Sequence, residues 1–258
     1  MRDPFVCSGP TIINVSGGRT SAYMLRRHLD AHGGRLPRDT HAVFCNTGTE
    51  REETLRFVAD CAERWGVAIV WIERDGSQPA GARFRETDYE HASRAGEPFA
   101  ELITERKYVP NAVTRFCTQA LKIETARDYM RAQGYERWTS VVGLRRDEPA
   151  RVAKVRGRDH EEWDGACPLY DARVTKADVM AWWREQPFDL ALESWQSNCT
   201  LCPLKSRATL ERAIRDDDAV AEWWIAQEKR IGATFRKDEP RGEGHALSCA
   251  VAMAKWAA

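Results

Sequence analysis

Residues 11–15 (TIINV), 41–45 (HAVFC) and 67–72 (VAIVWI) are short, almost unbroken runs of apolar and β-favouring residues. That is the pattern of inner strands covered on both faces, rather than of strands with one wet side. Residues 16–18 (SGG) break the first run. A helix is predicted to start at Thr20 or Ser21, both able to serve as N-cap. Its inner face is Met24, Leu25, His28 and Leu29, at helical spacing. Residues 32–34 (HGG) end it and Pro37 prevents its resumption. After the second strand, residues 46–49 (NTGT) form a turn. Residues 50–65 then read as a helix with Leu55, Val58, Cys61, Ala62 and Trp65 on one face, stopped by Gly66. Strand and helix in strict alternation imply right-handed crossovers and a parallel sheet.

The pattern then weakens. Residues 75–111 are polar with scattered Gly and Pro, and only 98–107 has helical character. Such an insertion is either a lid over a substrate or a surface excursion. A helix opens at Cys117, with Leu121, Ala126, Tyr129 and Met130 on its buried side. Residues 138–142 read as a fourth strand, and 156–172 as loop. Thr175 and Asp178 have the spacing of a capping box, before a helix carrying Trp182 and Trp183. A loop with Cys199 and Cys202 precedes a helix over 206–214. The predicted fold is α/β, a Rossmann-like parallel sheet with helices on both faces and a helical C-terminal part. Residues 1–155 are expected to form the α/β unit. Residues 156–258 are expected to form a mainly helical region packed on it and carrying the Cys-x-x-Cys.

The 258 residues suffice for one such fold with a good core. Basic and acidic residues balance at 39 each, so a bulk basic field for nucleic acid is absent, though a local patch stays open. No apolar run is long enough to span a membrane, and the first residues lack the apolar core of a signal peptide. A cytoplasmic location is expected, where the eight cysteines stay reduced. They are then ligands, nucleophiles or small core residues. The ten tryptophans read mainly as packing residues. A homo-oligomer is left open.

Parallel sheets bind ligands at the carboxyl ends of their strands. Ser16–Ser21 and residues 46–50 therefore share one edge. A helix N-terminus there offers free N–H groups and partial positive charge, which suit a phosphate. Ser16, Thr20 and Ser21 add hydroxyls. The dipole contributes only about 0.3–1 kcal/mol, so affinity needs Lys or Arg from elsewhere. The alternative is a glycine turn that closes a βα unit and binds nothing. Arg145, Arg146 and Arg151, three arginines within seven residues, are either anion-gripping bidentate forks or solvated charges on a surface loop. Cys117, at a helix start beside Arg115, has its thiolate favoured. Cys199-x-x-Cys202 fits a redox pair, half a zinc site or half an iron–sulfur site.

Ser16-Gly17-Gly18-Arg19-Thr20-Ser21 resembles the S-G-G-x-x-S pyrophosphate loop of the PP-loop superfamily. The Arg-Thr variant is similar to a phage and bacterial branch of the phosphoadenosine phosphosulfate (PAPS) reductase-like family. Phe116-Cys117 with Lys122 resembles that family's Cys-Cys-x-x-Arg-Lys segment with one cysteine kept. Residues 143–151 resemble its G-x-R-x-x-(Q/E)-S-x-x-R segment, and residues 167–171 its PLYD turn. The resemblance runs over roughly residues 12–237. It implies an adenine nucleotide (ATP, adenylyl sulfate or phosphoadenylyl sulfate) with its phosphates on Ser16, Gly17, Gly18, Arg19, Thr20 and Ser21. Asn46, Thr47, Gly48 and Gly143 are implied nucleotide contacts, and Lys122, Arg145 and Arg151 are implied catalytic cations. Cys117, Cys199 and Cys202 would hold a [4Fe–4S] cluster, with zinc the second choice. The fourth ligand would be Cys249, or else Cys167; Cys7, Cys45 and Cys61 are expected to be structural. The tail departs from the reductase pattern. Where reductases have Glu-Cys-Gly-(Ile/Leu)-His, this chain has Leu247-Ser248-Cys249-Ala250-Val251. The implied reaction is reduction of a sulfonucleotide or cleavage of ATP between its α and β phosphates, with a thiol reductant or cysteine desulfurase as possible partner. The alternatives are an ATP-dependent sulfurtransferase acting on nucleic acid or a small molecule, and a nucleotide-sensing module without turnover.

Overall fold

Alternate side chains of β1 (Thr11–Val15) enter two different cores. Ile13 and Val15 share one with Met24, Leu25 and Leu29 of α1 (Arg19–Ala31) and with Leu55 and Val58 of α2 (Glu52–Trp65). Ile12 points the other way, to Val43, Ile72, Ala126, Tyr129 and Met130. A strand buried on both faces has no polar face to alternate with, which is why the run is mostly apolar; Asn14, the polar exception inside it, donates to Ser140 Oγ and Val141 O. These observations come from a computed structural model, which describes residues 3–235 apart from 158–160, 194, 197 and 218.

Six strands form one sheet in the order β4-β3-β2-β1-β5-β6. β2 is Thr40–Asn46, β3 Ile69–Arg74, β4 Phe84–Thr87, β5 Trp138–Val141 and β6 Trp163–Ala166. All pairs are parallel except β3 with β4. The chain lays strands to one side of β1, then returns to place β5 on its other side. The strand order therefore reverses between β1 and β5, and a crevice opens at their carboxyl ends. Helices cover both faces, so the α/β architecture is as expected.

Several boundaries differ for identifiable reasons. Helix α1 starts at Arg19 with Gly18 as N-cap, because the Ser21 hydroxyl is turned back to the loop. α2 starts at Glu52, because the Glu50 carboxylate is spent on Thr47. β3 starts later than expected because Val67 still closes the α2 C-cap through Ala62 O. Two strands were not expected. β4 lies in the 75–111 insertion and is held by Glu73, a fully buried carboxylate beneath it. Glu73 accepts from Arg85 Nη2 at 2.7 Å, Ser93 N at 2.6 Å and Asn46 Nδ2 at 2.6 Å. β6 lies within 156–172, which had read as loop, and so carries the sheet past residue 155, where the first unit was expected to end. Its Trp163 stacks on Trp138 of β5 with ring centres 5.6 Å apart.

The remaining helices are α3 (Glu97–Arg106), α4 (Phe116–Thr118), α5 (Thr125–Ala132), α6 (Pro149–Arg156), α7 (Pro168–Asp171), α8 (Lys176–Arg184), α9 (Arg207–Asp216) and α10 (Ala219–Ile231). α4 and α5 are joined by a π-helical turn, Gln119–Glu124, which carries Lys122. The Thr175–Asp178 capping box is present at α8. Phe99 and Leu102 of α3 meet Leu210 of α9, Trp224 of α10 and Phe235 in a further core, against which Cys117 and Cys199 pack. Among the described residues no helix is long and apolar enough to cross a membrane.

Candidate functional site: a cleft between the phosphate loop and the cysteine pair

The crevice between β1 and β5 opens into a cavity of about 740 Å³. Ser16, Gly18, Thr20 and Ser21 form one wall, Gly143, Arg145 and Arg151 a second, and Lys122, Cys199 and Cys202 a third.

The two glycines of the loop do different work. Gly17 sits at φ +75°, and a Cβ there would lie 2.4 Å from Thr54 Cγ2 and 3.2 Å from Phe44 Cε2. Gly18 has ordinary extended backbone and only Asn198 near its missing Cβ, at 3.8 Å. As N-cap it offers no side chain, so none takes up the first-turn amides of α1. Those N–H groups and the positive end of the helix stand at the cleft. Ser21 is buried. Its hydroxyl accepts from Ser16 N and lies 3.0 Å from Ser16 Oγ, while donating to Gly18 O at 3.0 Å. It shapes the loop rather than reaching outward. Arg19 also turns away from the cleft centre. Its guanidinium forks onto Asp189 at 2.7 and 2.8 Å and reaches the carbonyls of Leu190 and Leu192. Trp183 Nε1 donates to Arg19 O at 2.8 Å. The arginine that distinguishes this loop ties it to the 189–192 wall.

Arg145 lines the cleft beside Thr20. Its side chain is 17% exposed, and Nη1 donates to Thr20 Oγ1 at 3.0 Å while Asp147 and Glu148 hold the other nitrogens at 3.1 Å. Arg151 lies further out, 68% exposed, with Glu148 as partner. Gly143 lets the end of β5 approach α1: a Cβ would stand 3.4 Å from Ser21 Cα.

Asn46, Thr47 and Gly48 are not on the cavity wall. The Asn46 amide is fully buried, donating to Glu73 and Ser93 O and accepting from Gly48 N. Gly48, at φ +78°, packs against Gly96. Their work is to carry Glu50, which sequence reasoning read only as a helix start. The Glu50 carboxylate accepts from Thr47 N and Oγ1, both at 2.8 Å, and faces Lys122 Nζ at 3.5 Å. Burial pulls the Lys122 ammonium downward, but Glu50 and the thiols of Cys199 and Cys45 outweigh that, so it stays charged above its ordinary range.

The cysteine segment is bonded onto this floor. Arg51 N donates to Asn198 O at 3.0 Å, Thr200 N donates to Thr49 O at 3.1 Å, and Glu50 and Cys199 form an antiparallel bridge. Burial, with Glu50 and Cys202 behind it, pushes the Cys199 thiol up. Burial and then Cys202 push Cys117 up. The structure therefore corrects the expectation that the Cys117 thiolate is favoured, because burial outweighs a helix start of one short turn. The same shifts show that Cys202 lies within electrostatic reach of both other cysteines. Among the described residues no three His, Cys, Asp or Glu side chains converge on a single ion position. Cys167 belongs to a separate core with Leu144 and Val152, its thiol pushed by burial to about 11. Cys249 lies outside the described residues. Cys45 (pushed to about 12) and Cys61 are packing residues, as expected.

Residues 10–204, three quarters of the chain and all of the cleft lining except Lys205, match the family model of the phosphoadenosine phosphosulfate reductase domain. The chain belongs to that family. Its relatives include the nin region protein ORF290 of Escherichia phage lambda, 32% identical over 216 residues, 81% of this chain and 71% of that protein. A protein of Escherichia phage 186 is 27% identical over 72% of this chain and 61% of its own length. One of Methanocaldococcus jannaschii is 24% identical over 83% of this chain but only 40% of its own. Among solved structures, the U34-tRNA thiolase NcsA from Methanococcus maripaludis with its [4Fe–4S] cluster aligns over 98% of this chain and 83% of its own. That alignment has 12% identity and a TM-score of 0.42.

Proposed function

We propose that this protein binds ATP by its phosphates in the cleft and activates an oxygen of a second substrate at the α-phosphorus, releasing pyrophosphate, as the first half of a sulfur transfer. One observation carries the reading: the phosphate loop, Arg145, Lys122 and a cysteine pair share a single cavity. The α1 amides and Thr20 bind the phosphate chain. Arg145, already bonded to Thr20, spreads its charge over the oxygens that gain negative charge as the attacking oxygen bonds to phosphorus and the bridging oxygen leaves. Lys122, held by Glu50, neutralises the site's cysteine end. The attacking hydroxyl loses its proton to solvent as pyrophosphate departs.

Cys117, Cys199 and Cys202 offer only sulfur, the donor type that suits iron–sulfur or zinc, although no three such side chains among the described residues converge on one ion position. Burial and then Cys202 push the Cys117 thiol up, and burial, Glu50 and Cys202 push the Cys199 thiol up, so a cation bound there would favour both thiolates. A [4Fe–4S] cluster held by three cysteines would supply an open iron able to bind sulfur. A second reading, reduction of a sulfonucleotide to sulfite, rests on the same pairing of phosphate cradle and thiols.

The test is turnover by anaerobically prepared protein given ATP, adenylyl sulfate or phosphoadenylyl sulfate together with a dithiol, which supplies the two electrons that sulfite release needs and leaves as disulfide, with pyrophosphate and sulfite both followed. Pyrophosphate from ATP supports the first reading, and sulfite without pyrophosphate supports the second. Tight binding with neither product makes the protein a nucleotide sensor.

A further inference from the structure

Asn198 lies one residue before the cysteine pair, yet its side chain belongs to the phosphate loop. Its Nδ2 donates to Ser16 O. The same side chain stands over both glycines, 3.5 Å from where a Cβ on Gly17 would be and 3.8 Å from one on Gly18. Its backbone carbonyl accepts from Arg51 N, and Cys199 and Thr200 continue the pairing with the turn after β2. Asn198 thus joins three pieces: the loop after β1, the turn after β2 and the Cys-x-x-Cys.

We propose that Asn198 is a positioning residue that couples occupation of the phosphate loop to the Cys199–Cys202 segment. Ser16 O is the last carbonyl of the loop before its glycines, so any adjustment of the loop around an anion moves the acceptor of this bond. Asn198 follows, and the segment from Cys199 to Cys202 follows Asn198. Arg19 supplies a parallel tie by holding residues 189–192, at the base of the same segment, through Asp189 and two carbonyls. The consequence is ordered: nucleotide in the loop stiffens the cysteine segment, and a loosened segment weakens the loop. The inference rests on the proposed nucleotide site, but its test reads a different quantity.

Amide hydrogen exchange is measured on the full chain with and without ATP, at ATP concentrations that saturate each variant, so that affinity differences drop out. In the wild type, ATP is expected to slow exchange across residues 198–205 by about fivefold, the effect of fixing one hydrogen bond of ordinary net strength. Asn198→Ala removes the donor, and ATP is expected to slow exchange in the loop while leaving 198–205 unchanged. Asn198→Asp keeps the size but places an acceptor against Ser16 O, and is expected to behave like the alanine variant, so a folding failure of either leaves the other as test. ATP protection of 198–205 that persists in both variants would overturn the coupling. So would wild-type protein that binds ATP without protecting this segment. Absence of ATP binding in the wild type would sink the proposed nucleotide site instead, a distinct result.

Discussion

Replacing Gly17 with alanine should damage the protein far more than replacing Gly18, although the two are adjacent in one motif. At Gly17 the backbone is left-handed, φ +75°, where a non-glycine residue costs about 1–3 kcal/mol. The added methyl would also lie 2.4 Å from Thr54 Cγ2. Thr54 is fully buried and β-branched, and Phe44 beside it is fully buried as well, so neither can yield by rotating away. Overpacking of this kind costs about 1–3 kcal/mol more. The sum is about 2–6 kcal/mol. Gly18 has φ −109° and only the Asn198 amide near its Cβ position, at an unstrained 3.8 Å, so Gly18→Ala is expected to cost about 0.5 kcal/mol. Equilibrium urea unfolding without nucleotide measures both. A Gly17→Ala variant within about 0.5 kcal/mol of wild type, or two variants equally damaged, would refute the assignment of separate roles to the two glycines.

Arg145→Lys keeps the charge but loses the guanidinium that bonds Thr20, Asp147 and Glu148 together. ATP affinity by calorimetry is expected to fall about tenfold, and an unchanged affinity would remove Arg145 from the phosphate site. Stability should fall with acid through His28. Burial holds its imidazole down at about 4, so the unfolded chain takes up the proton first, and stability present above pH 6.5 is lost as pH falls toward 4. The loss is about 3 kcal/mol, and it should shrink in His28→Gln when unfolding is measured across that range. In anaerobically prepared protein, alanine at Cys117, Cys199 or Cys202 is expected to abolish an iron–sulfur absorbance that alanine at Cys167 leaves intact. Equal loss from all four would remove the three-cysteine assignment.

The sheet's centre was legible in the sequence because burial on both faces makes the middles of β1, β2 and β3 largely apolar. The edge strands were not. FRET and WDGA are polar enough to pass for loop, and what makes them strands is distant: the buried Glu73 beneath Arg85 and the Trp138 ring under Trp163. The Ser-Gly-Gly loop was legible as a motif, and Lys122, Arg145, Cys199 and Cys202 do meet in one cleft with it. The direction of each side chain was not legible. Arg19 and Ser21 spend their polar atoms on holding the loop, and Asn46 spends its amide on Glu73. Glu50 and Asn198 gave no local signal, since each matters through a partner about 70 or more residues away. A Glu after a Gly-containing turn, and an Asn just before a Cys-x-x-Cys, are the features that pointed there in retrospect.

The central claim is that ATP is held by the amides at the start of α1. A crystal structure of the protein with a non-hydrolysable ATP analogue tests it directly. Phosphate oxygens within hydrogen-bond reach of the amides of Arg19, Thr20 or Ser21 and of the Arg145 guanidinium are the expected result. An analogue bound with its phosphates elsewhere, and this corner filled only by water, would contradict the account.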